Sequence, residues 1–153
     1  MKFAITTYSL SGLRKNGEVS EKELIPIAKE LGFSGIEFAE IHAPEGTDKA
    51  EYAKSLREEC ERVGIEPIQY SIGADFLYGS DGDLDKEIER LKKEVDIASL
   101  LGVSGMRHDA TGGYRDQEKK YKEIIWRFWT KYKEIIERMR DIHSILPRLC
   151  PPM

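Results

Sequence analysis

The hydrophobic positions of the chain follow a pattern that occurs three times: an amphipathic helical stretch, a glycine, and a short apolar segment typical of a β-strand. The glycines are Gly32, Gly64 and Gly102, and they recur at intervals of about 35 residues. Glycine readily adopts the left-handed conformation in which many helices end. The pattern therefore predicts a parallel α/β fold whose strands have their carboxyl ends on one face, where sites of such folds lie.

Four strands are predicted, at residues 2–9, 33–40, 65–72 and 103–110, with three helices between them. Ser20 and Glu23 have the spacing of a capping box before the first helix, Thr47 is expected to cap the second, and Asp83 the third. The stretch 73–82 is long for a connection inside a compact unit. We expect Phe76 in it to be exposed, so this stretch is either a lid or a packed surface loop.

The last part of the chain has a different pattern. From residue 117 onward its apolar positions form a heptad seam, which predicts one long helix as far as Pro147. The seam consists of Tyr121, Ile125, Phe128, Tyr132, Ile135, Met139, Ile142 and Leu146. We therefore expect an α/β unit at 1–115 and, at 116–153, a long amphipathic helix with an irregular proline-rich tail. The seam either packs on the sheet of its own chain or forms a homo-oligomer.

Composition narrows the classes of function. The chain has 153 residues, 40% of them hydrophobic, and a net charge of −4 without a basic stripe, which disfavours nucleic acid as a partner. Cys60 and Cys150 do not have metal-ligand spacing, so we expect reduced thiols. The first ten residues do not resemble a signal peptide, and no apolar stretch is long enough to span a membrane. These features predict a cytoplasmic protein.

Alternation along the strands separates two sets of side chains. The bulky set that should meet the helices is Ile36, Phe38, Ile68, Tyr70 and Met106. The opposite set is Glu37, Ala39, Gln69, Ser71, Arg107 and Asp109, with Thr6 and Tyr8 from the first strand. Glu37, Gln69 and Arg107 occupy equivalent positions after the three repeat glycines, so we expect them at one level. Buried polar groups must pair or bind something, so these residues form either a ligand site or an internal ion pair.

Several other residues have two interpretations each. His108 either faces the helices as a core residue or reaches the loop face at the end of its strand. Asp109 either contacts a ligand or stabilises the following turn, and His42 is expected to be a loop residue. The sequence has no Walker loop, dinucleotide fingerprint or serine nucleophile elbow. The aromatic cluster of Trp126, Phe128 and Trp129 is expected in a core or an interface.

The strand motifs resemble those of a known family. Phe3-Ala-Ile-Thr-Thr-Tyr-Ser9, Leu31-Gly-Phe-Ser-Gly-Ile-Glu37, Gly64-Ile-Glu-Pro67 and Leu101-Gly-Val-Ser-Gly-Met-Arg-His108 follow one another as in the first half of the sugar phosphate isomerase/epimerase family. The resemblance covers residues 2–115. It implies about half of a xylose isomerase-like TIM barrel, formed by four parallel strands with α/β repeats and followed here by the long C-terminal helix.

The same resemblance implies a chemistry. Proteins of this family move a proton next to a sugar carbonyl with the help of a divalent cation such as Mn, Mg, Co or Zn. It implies a catalytic role for Glu37, sugar or sugar phosphate contacts from Arg107 and Asp109, and a metal-ligand role for His108. We expect Tyr8 and Gln69, from the same set of inward side chains, to contact the sugar as well. The principal metal ligands of the family belong to strands five to eight, which this sequence does not show.

The tail departs from the family pattern where a fifth strand should follow. This departure predicts that the chain lacks the main metal ligands, because of a truncated gene, a frameshift near residues 118–125 or the choice of a fragment. The alternative function is a catalytically inactive half barrel that serves as an assembly module through the Trp126 cluster. A third function, cleavage at abasic sites as in the related apurinic endonucleases, is disfavoured by the acidic net charge and by the presence of only three histidines.

Overall fold

The computed structural model describes residues 2–15, 19–113, 131–138 and 140. Its helices and strands are β1 (Ala4–Thr6), α1 (Ser11–Lys15), α2 (Leu24–Glu30), β2 (Gly35–Ala39), α3 (Lys49–Val63), β3 (Glu66–Ile72), α4 (Leu84–Leu101), β4 (Gly105–His108) and α5 (Lys131–Arg138). Short 3-10 turns lie at Thr7–Leu10 and Gly79–Gly82.

The four strands form one parallel sheet in the order β1-β2-β3-β4. The predicted α/β fold with four parallel strands is therefore confirmed. The register of β2 against β3 places Glu37 level with Gln69, and Ala39 level with Ser71. An irregularity in that register between Ile36 and Glu37 keeps the polar residues of the two strands side by side.

The three repeat glycines end their helices as predicted. Gly32, Gly64 and Gly102 have φ angles of 91°, 69° and 73°, in the left-handed region that side chains disfavour. The backbone N–H of Gly64 bonds to the carbonyls of Cys60 and Glu61 at the end of α3. The chain then enters the next strand within a few residues, so each glycine marks a junction of helix and strand.

Two local predictions about the first half need correction. The first strand ends at Thr6 and not at residue 9, because the Thr6 and Thr7 hydroxyls accept backbone N–H bonds from Tyr8 at 3.3 Å and Ala39 at 2.9 Å. Asp48, not Thr47, caps α3, and its carboxylate accepts from two backbone N–H groups at 2.9 and 3.1 Å.

The predicted capping box of Ser20 and Glu23 is formed, but it encloses a turn, and α2 begins after it, at Leu24. The Glu23 carboxylate accepts from the backbone N–H and the hydroxyl of Ser20 at 2.7 and 2.6 Å, while the Glu23 N–H donates to the Ser20 hydroxyl at 3.3 Å. The third predicted cap is also present, because the Asp83 carboxylate accepts from the Lys86 N–H at 3.1 Å. Both features were visible in the sequence as short-range spacings.

The chain divides into two compact units: unit 1, Met1–Ile72 with Ile97–Arg107, and unit 2, Gly73–Asp96 with His108–Met153. In unit 1, Ile36, Phe38 and Tyr70 are completely buried, on the side of the sheet opposite to Glu37 and Gln69. This arrangement agrees with the two faces predicted from alternation. The division at residue 115 that the sequence suggested stays a prediction.

In unit 2, the segment after β3 is packed. Of the two predicted alternatives, it is therefore the packed surface loop and not the lid. Phe76 is only 8% exposed, and the expectation that it would be exposed was wrong. The Asp75 carboxylate accepts the backbone N–H groups of Leu77 and Tyr78 at 3.0 and 3.1 Å, which fixes the turn. The loop therefore has its own local hydrogen-bond frame.

The described part of the heptad seam also lies in unit 2. Ile135 on α5 is 1% exposed, and α5 forms ion pairs with α4 from Lys131 to Asp85 and from Glu134 to Lys92, both at 2.8 Å. This part of the seam thus lies alongside α4 of its own chain, and Tyr132 on it also contacts the ring of His108 at the end of β4. Apart from Tyr132 and Ile135, the seam residues are outside the described part, and oligomerisation through the helix stays a prediction.

Candidate functional site

Three side chains predicted to share one level of the sheet meet at a fourth, Ser71. The Ser71 hydroxyl lies 2.5 Å from Oε1 of Glu37, 3.2 Å from Nε2 of Gln69 and 3.4 Å from Nε of Arg107. Nε2 of Gln69 also lies 3.4 Å from Oε1 of Glu37. We call these four residues, all in unit 1, the Ser71 cluster; β2, β3 and β4 supply its members.

The cluster is neither a simple ion pair nor a closed core network. Among the described residues, Glu37 and Arg107 form no direct ion pair with each other, so that interpretation of the sequence is not what the structure shows. Ser71 is 5% exposed, Glu37 and Gln69 are half-buried, and Arg107 is exposed. The cluster therefore has a buried floor and an open side.

Two other predicted site residues lie apart from these contacts. Tyr8 is in the 3-10 turn after β1 and is 75% exposed. Asp109 follows β4 and is exposed, and its backbone carbonyl lies 2.8 Å from Nδ1 of His108. In the part of the chain that the structure describes, no hydrogen bond joins the Tyr8 side chain to the Ser71 cluster, and Asp109 belongs to unit 2. Their roles in substrate binding stay predictions.

His108 belongs to unit 2 and lies in an aromatic environment. Its ring is 5.8 Å from the Phe76 ring and 5.6 Å from the Tyr132 ring, both in edge-on geometry. This surrounding fits the core interpretation of His108 better than the loop-face one. His42, expected in a loop, is exposed after β2.

Sequence analysis missed Glu21, a buried carboxylate between the connections that follow β1 and β2. It is 3% exposed, and it bonds Nη1 of Arg14 at 2.9 Å and the backbone N–H of His42 at 3.2 Å. Burial raises the pKa of Glu21 to about 7, although the His42 N–H and the charges of Arg14 and Lys49 act in the opposite direction. Glu21 titrates near neutral pH and links two segments of unit 1.

Tyr52, on the first turn of α3, shares this environment. Burial, reinforced by the negative charge of Glu21, raises the pKa of Tyr52 to about 12. The only sequence signal for Glu21 was its place inside a capping box, where an acidic residue is ordinary. Ser71 had a clearer signal, because it follows Gln69 by two positions on the same face of β3.

Comparison with known proteins gives the fold its context. No family model matches the chain, and no curated protein does. Among solved structures, one described as D-psicose 3-epimerase in the presence of D-fructose matches with a TM-score of 0.67 at 16% identity, over 93% of this chain and 50% of that one. The fold is that of half a xylose isomerase-like barrel.

A second structure supports this assignment. A xylose isomerase domain protein from Planctomyces limnophilus matches with a TM-score of 0.54 at 16% identity, over 77% of this chain and 44% of that one. The resemblance inferred from the strand motifs is thus confirmed at the level of the fold. The chain spans half or less of the length of these two proteins.

No described helix has the length and apolar character needed to cross a lipid bilayer.

The divalent metal implied by the resemblance does not fit the described residues. Within them, no three His, Cys, Asp or Glu side chains are grouped closely enough to hold an ion. Oε1 of Glu37 is engaged by Ser71, and the His108 ring contacts two aromatic rings. The described residues therefore do not form a metal site.

Proposed function

We propose that the chain binds a ketose at the Ser71 cluster and acts as the sugar-binding half of an isomerase or epimerase. The observation that carries this proposal is the convergence of Glu37, Gln69 and Arg107 on one hydroxyl, in a fold whose solved neighbours include a ketose 3-epimerase. Carboxylate, amide and guanidinium groups together offer the donors and acceptors that sugar hydroxyls need.

The chemistry follows from the types of group in the cluster. The Glu37 carboxylate takes a proton from the carbon next to the sugar carbonyl; the electron pair of that C–H bond forms a carbon–carbon double bond, and a pair from the C=O bond moves to the carbonyl oxygen. Arg107 donates hydrogen bonds to this oxygen as it gains negative charge, while Gln69 holds an adjacent hydroxyl. Return of the proton to the opposite face of the same carbon gives the epimer. Its delivery to the former carbonyl carbon, with the neighbouring hydroxyl proton passing to the enolate oxygen, gives the isomer. Tyr8 is proposed as a further contact to the sugar, and the contact expected from Asp109, a residue of unit 2, stays a prediction.

The test is hydrogen exchange at carbon. The chain is incubated with D-fructose or D-psicose in D2O, and deuterium incorporation next to the carbonyl is followed by NMR, with binding measured on the same samples by titration. We expect exchange that is lost in Glu37→Gln, a change that keeps the size of the side chain. Glu40→Gln is the matched control, because Glu40 is exposed directly after β2.

The outcomes separate the parts of the proposal. Binding with exchange that depends on Glu37 supports both the ligand and the chemistry. Binding without hydrogen exchange supports the sugar-binding part of the proposal and contradicts the proton transfer by Glu37. Failure to bind either ketose contradicts the proposed function, and the assembly module then becomes the better hypothesis. The aromatic residues proposed for that module lie outside the described part of the chain.

A further inference from the structure

The Ser71 hydroxyl can make three hydrogen bonds, one as donor and two as acceptor, and its neighbours use all three. A serine hydroxyl donates one proton and accepts on two lone pairs. Nε of Arg107 and Nε2 of Gln69 are donors only, so both lone pairs of Ser71 accept from them, at 3.4 and 3.2 Å. The single Ser71 proton must therefore be donated to Oε1 of Glu37, 2.5 Å away.

This direction of the proton constrains Glu37. Because the Ser71 oxygen has no lone pair left, Glu37 cannot carry a proton on Oε1 and donate it to Ser71. Oε1 also accepts from Nε2 of Gln69 at 3.4 Å. Whatever proton Glu37 gains or gives up must then reside on its other oxygen, Oε2.

Oε2 of Glu37 is the open position of the cluster. No described residue donates a hydrogen bond to it, and no buried side-chain oxygen or nitrogen of the described residues lacks a partner. Since Glu37 is half-buried, an oxygen without a protein partner must be in contact with solvent. The Nη groups of Arg107, an exposed side chain, make no hydrogen bond to the described residues either.

We infer that Ser71 is a positioning residue: its hydroxyl holds Oε1 of Glu37 and so directs Oε2 towards the hydroxyl-bearing carbon next to the carbonyl of an uncharged sugar. This inference deepens the proposed function and depends on it for the ligand. An acceptor oxygen on Glu37 and donor groups on Arg107 suit neighbouring hydroxyl and carbonyl groups of a ketose. A phosphate group at Oε2 would meet a like charge, so the uncharged ketose is the class favoured at this position.

The first experiment needs no ligand. The side-chain amide of Gln69 and the Nε–H of Arg107 are observed by 15N NMR in the wild-type chain, Ser71→Ala and Ser71→Thr. We expect both resonances to shift in Ser71→Ala and to return towards their wild-type positions in Ser71→Thr, which keeps the hydroxyl. Ser104→Ala is the matched control, because the Ser104 hydroxyl donates only to the Ile68 carbonyl, at 3.1 Å. Unchanged Gln69 and Arg107 resonances in Ser71→Ala overturn the inference.

The second experiment asks whether Ser71 acts through Glu37. D-fructose affinity is measured by NMR titration for the wild-type chain, Ser71→Ala, Glu37→Gln and the double variant. We expect roughly five- to tenfold weaker binding in each single variant and little further loss in the double variant. Fully additive losses overturn the positioning role. D-fructose 6-phosphate, titrated in parallel, should bind more weakly, and tighter binding contradicts the ligand class.

The two experiments fail in different ways. If the resonances shift as expected but neither sugar binds, the geometry of the cluster stands and the proposed function fails. If sugars bind but the resonances do not depend on Ser71, the proposed function stands and the positioning inference fails. The stability of each variant, measured by urea unfolding, shows whether a loss of binding comes from a loss of fold.

Discussion

Glu87 of unit 2 and Glu37 of unit 1 are both held by hydrogen bonds, but they differ in how many of their acceptor positions the protein uses. Glu87 is 2% exposed, and it accepts from Arg90 at 2.7 and 3.0 Å, from the Ser80 hydroxyl at 2.8 Å and from the Asp75 N–H at 3.2 Å. Both of its oxygens are occupied. These donors, chiefly Arg90, lower the pKa of Glu87 to about 2.

Glu37 is the opposite case, because its donors converge on one oxygen and leave the other open. Glu87, with hydrogen bonds to both oxygens, stabilises the loop that contains Asp75 and Ser80. Glu37, with one oxygen unused by the described residues, can accept a hydrogen bond from a ligand. Glu21 shows a third arrangement: it is buried with few donors, and burial raises its pKa to about 7.

The largest effect is expected for Glu87→Ala. Removing this carboxylate leaves the Ser80 hydroxyl and the Asp75 N–H without their acceptor and breaks two bonds from Arg90, so we expect a loss of about 3 kcal/mol in unfolding free energy at pH 7, measured by urea denaturation. The pKa of Glu87 is lowered from 4.5, so its contribution is present above pH 4.5 and disappears as pH falls towards 2. The loss should shrink over that range.

Glu89→Ala is the control for this variant. Glu89 lies on the same helix but is exposed, and its ion pair with Lys92 at 2.8 Å is of the kind that contributes little. An equally large loss in Glu89→Ala would show that any substitution in this part of α4 destabilises the protein. It would contradict the claim that the hydrogen bonds of Glu87 cause the loss.

The second prediction concerns the pH dependence caused by Glu21. Because its pKa is raised from 4.5 to about 7 in the folded chain, the folded state keeps a proton that the unfolded state releases over this range. Stability therefore falls as pH rises from 4.5 through 7, by about 2 to 3 kcal/mol. Glu21→Gln cannot ionise and should lack this fall.

The measurement is urea unfolding of both proteins at several pH values between 4 and 8. The groups facing Glu21 are Arg14 on α1, Lys49 and Tyr52 on α3, and the His42 backbone N–H, and all of them remain in the variant. Glu30→Gln, at the exposed end of α2, should keep the wild-type dependence. An unchanged pH profile in Glu21→Gln would contradict the assignment.

A smaller effect, confined to the ligand, is expected for Arg107→Ala. Arg107 is exposed and its contact with Ser71 is long, at 3.4 Å, so the unfolding free energy should change by less than about 0.5 kcal/mol. Affinity for D-fructose should fall about fivefold, because its donors face the open side of the cluster. Loss of stability without loss of affinity would make Arg107 a structural residue.

The smallest effect is expected at α5. Arg138 pairs with Asp96, and both side chains are 46% exposed, so Arg138→Ala should cost no more than about 0.5 kcal/mol. Chemical denaturation measures this change. A loss of several kcal/mol would mean that α5 depends on its ion pairs and not on buried residues such as Ile135.

Much of the fold could be predicted because its determinants are local. The repeat glycines require a left-handed backbone, and strand alternation separates Ile36 and Phe38 from Glu37. The early end of β1 could not be predicted, because it depends on a bond between Thr7 and Ala39, which are distant in sequence. The burial of Phe76 likewise depends on partners that its neighbours in the chain do not reveal.

The candidate site was predictable in its members but not in its bonding. Their equivalent positions after the repeat glycines predicted that Glu37, Gln69 and Arg107 lie close together. Which group each of them contacts depends on side-chain geometry, and the role of Ser71 as their shared partner became visible only in the structure. The burial of Glu21 is a tertiary effect that no spacing in the sequence expresses.

The most direct test of this account is a crystal structure of the chain soaked with D-fructose. We predict that a sugar hydroxyl lies within hydrogen-bond distance of Oε2 of Glu37, with the bond from Ser71 to Oε1 retained. A sugar bound elsewhere, or Ser71 turned away from Glu37 in the complex, would contradict the central claim that this hydroxyl reserves one carboxylate oxygen for the ligand.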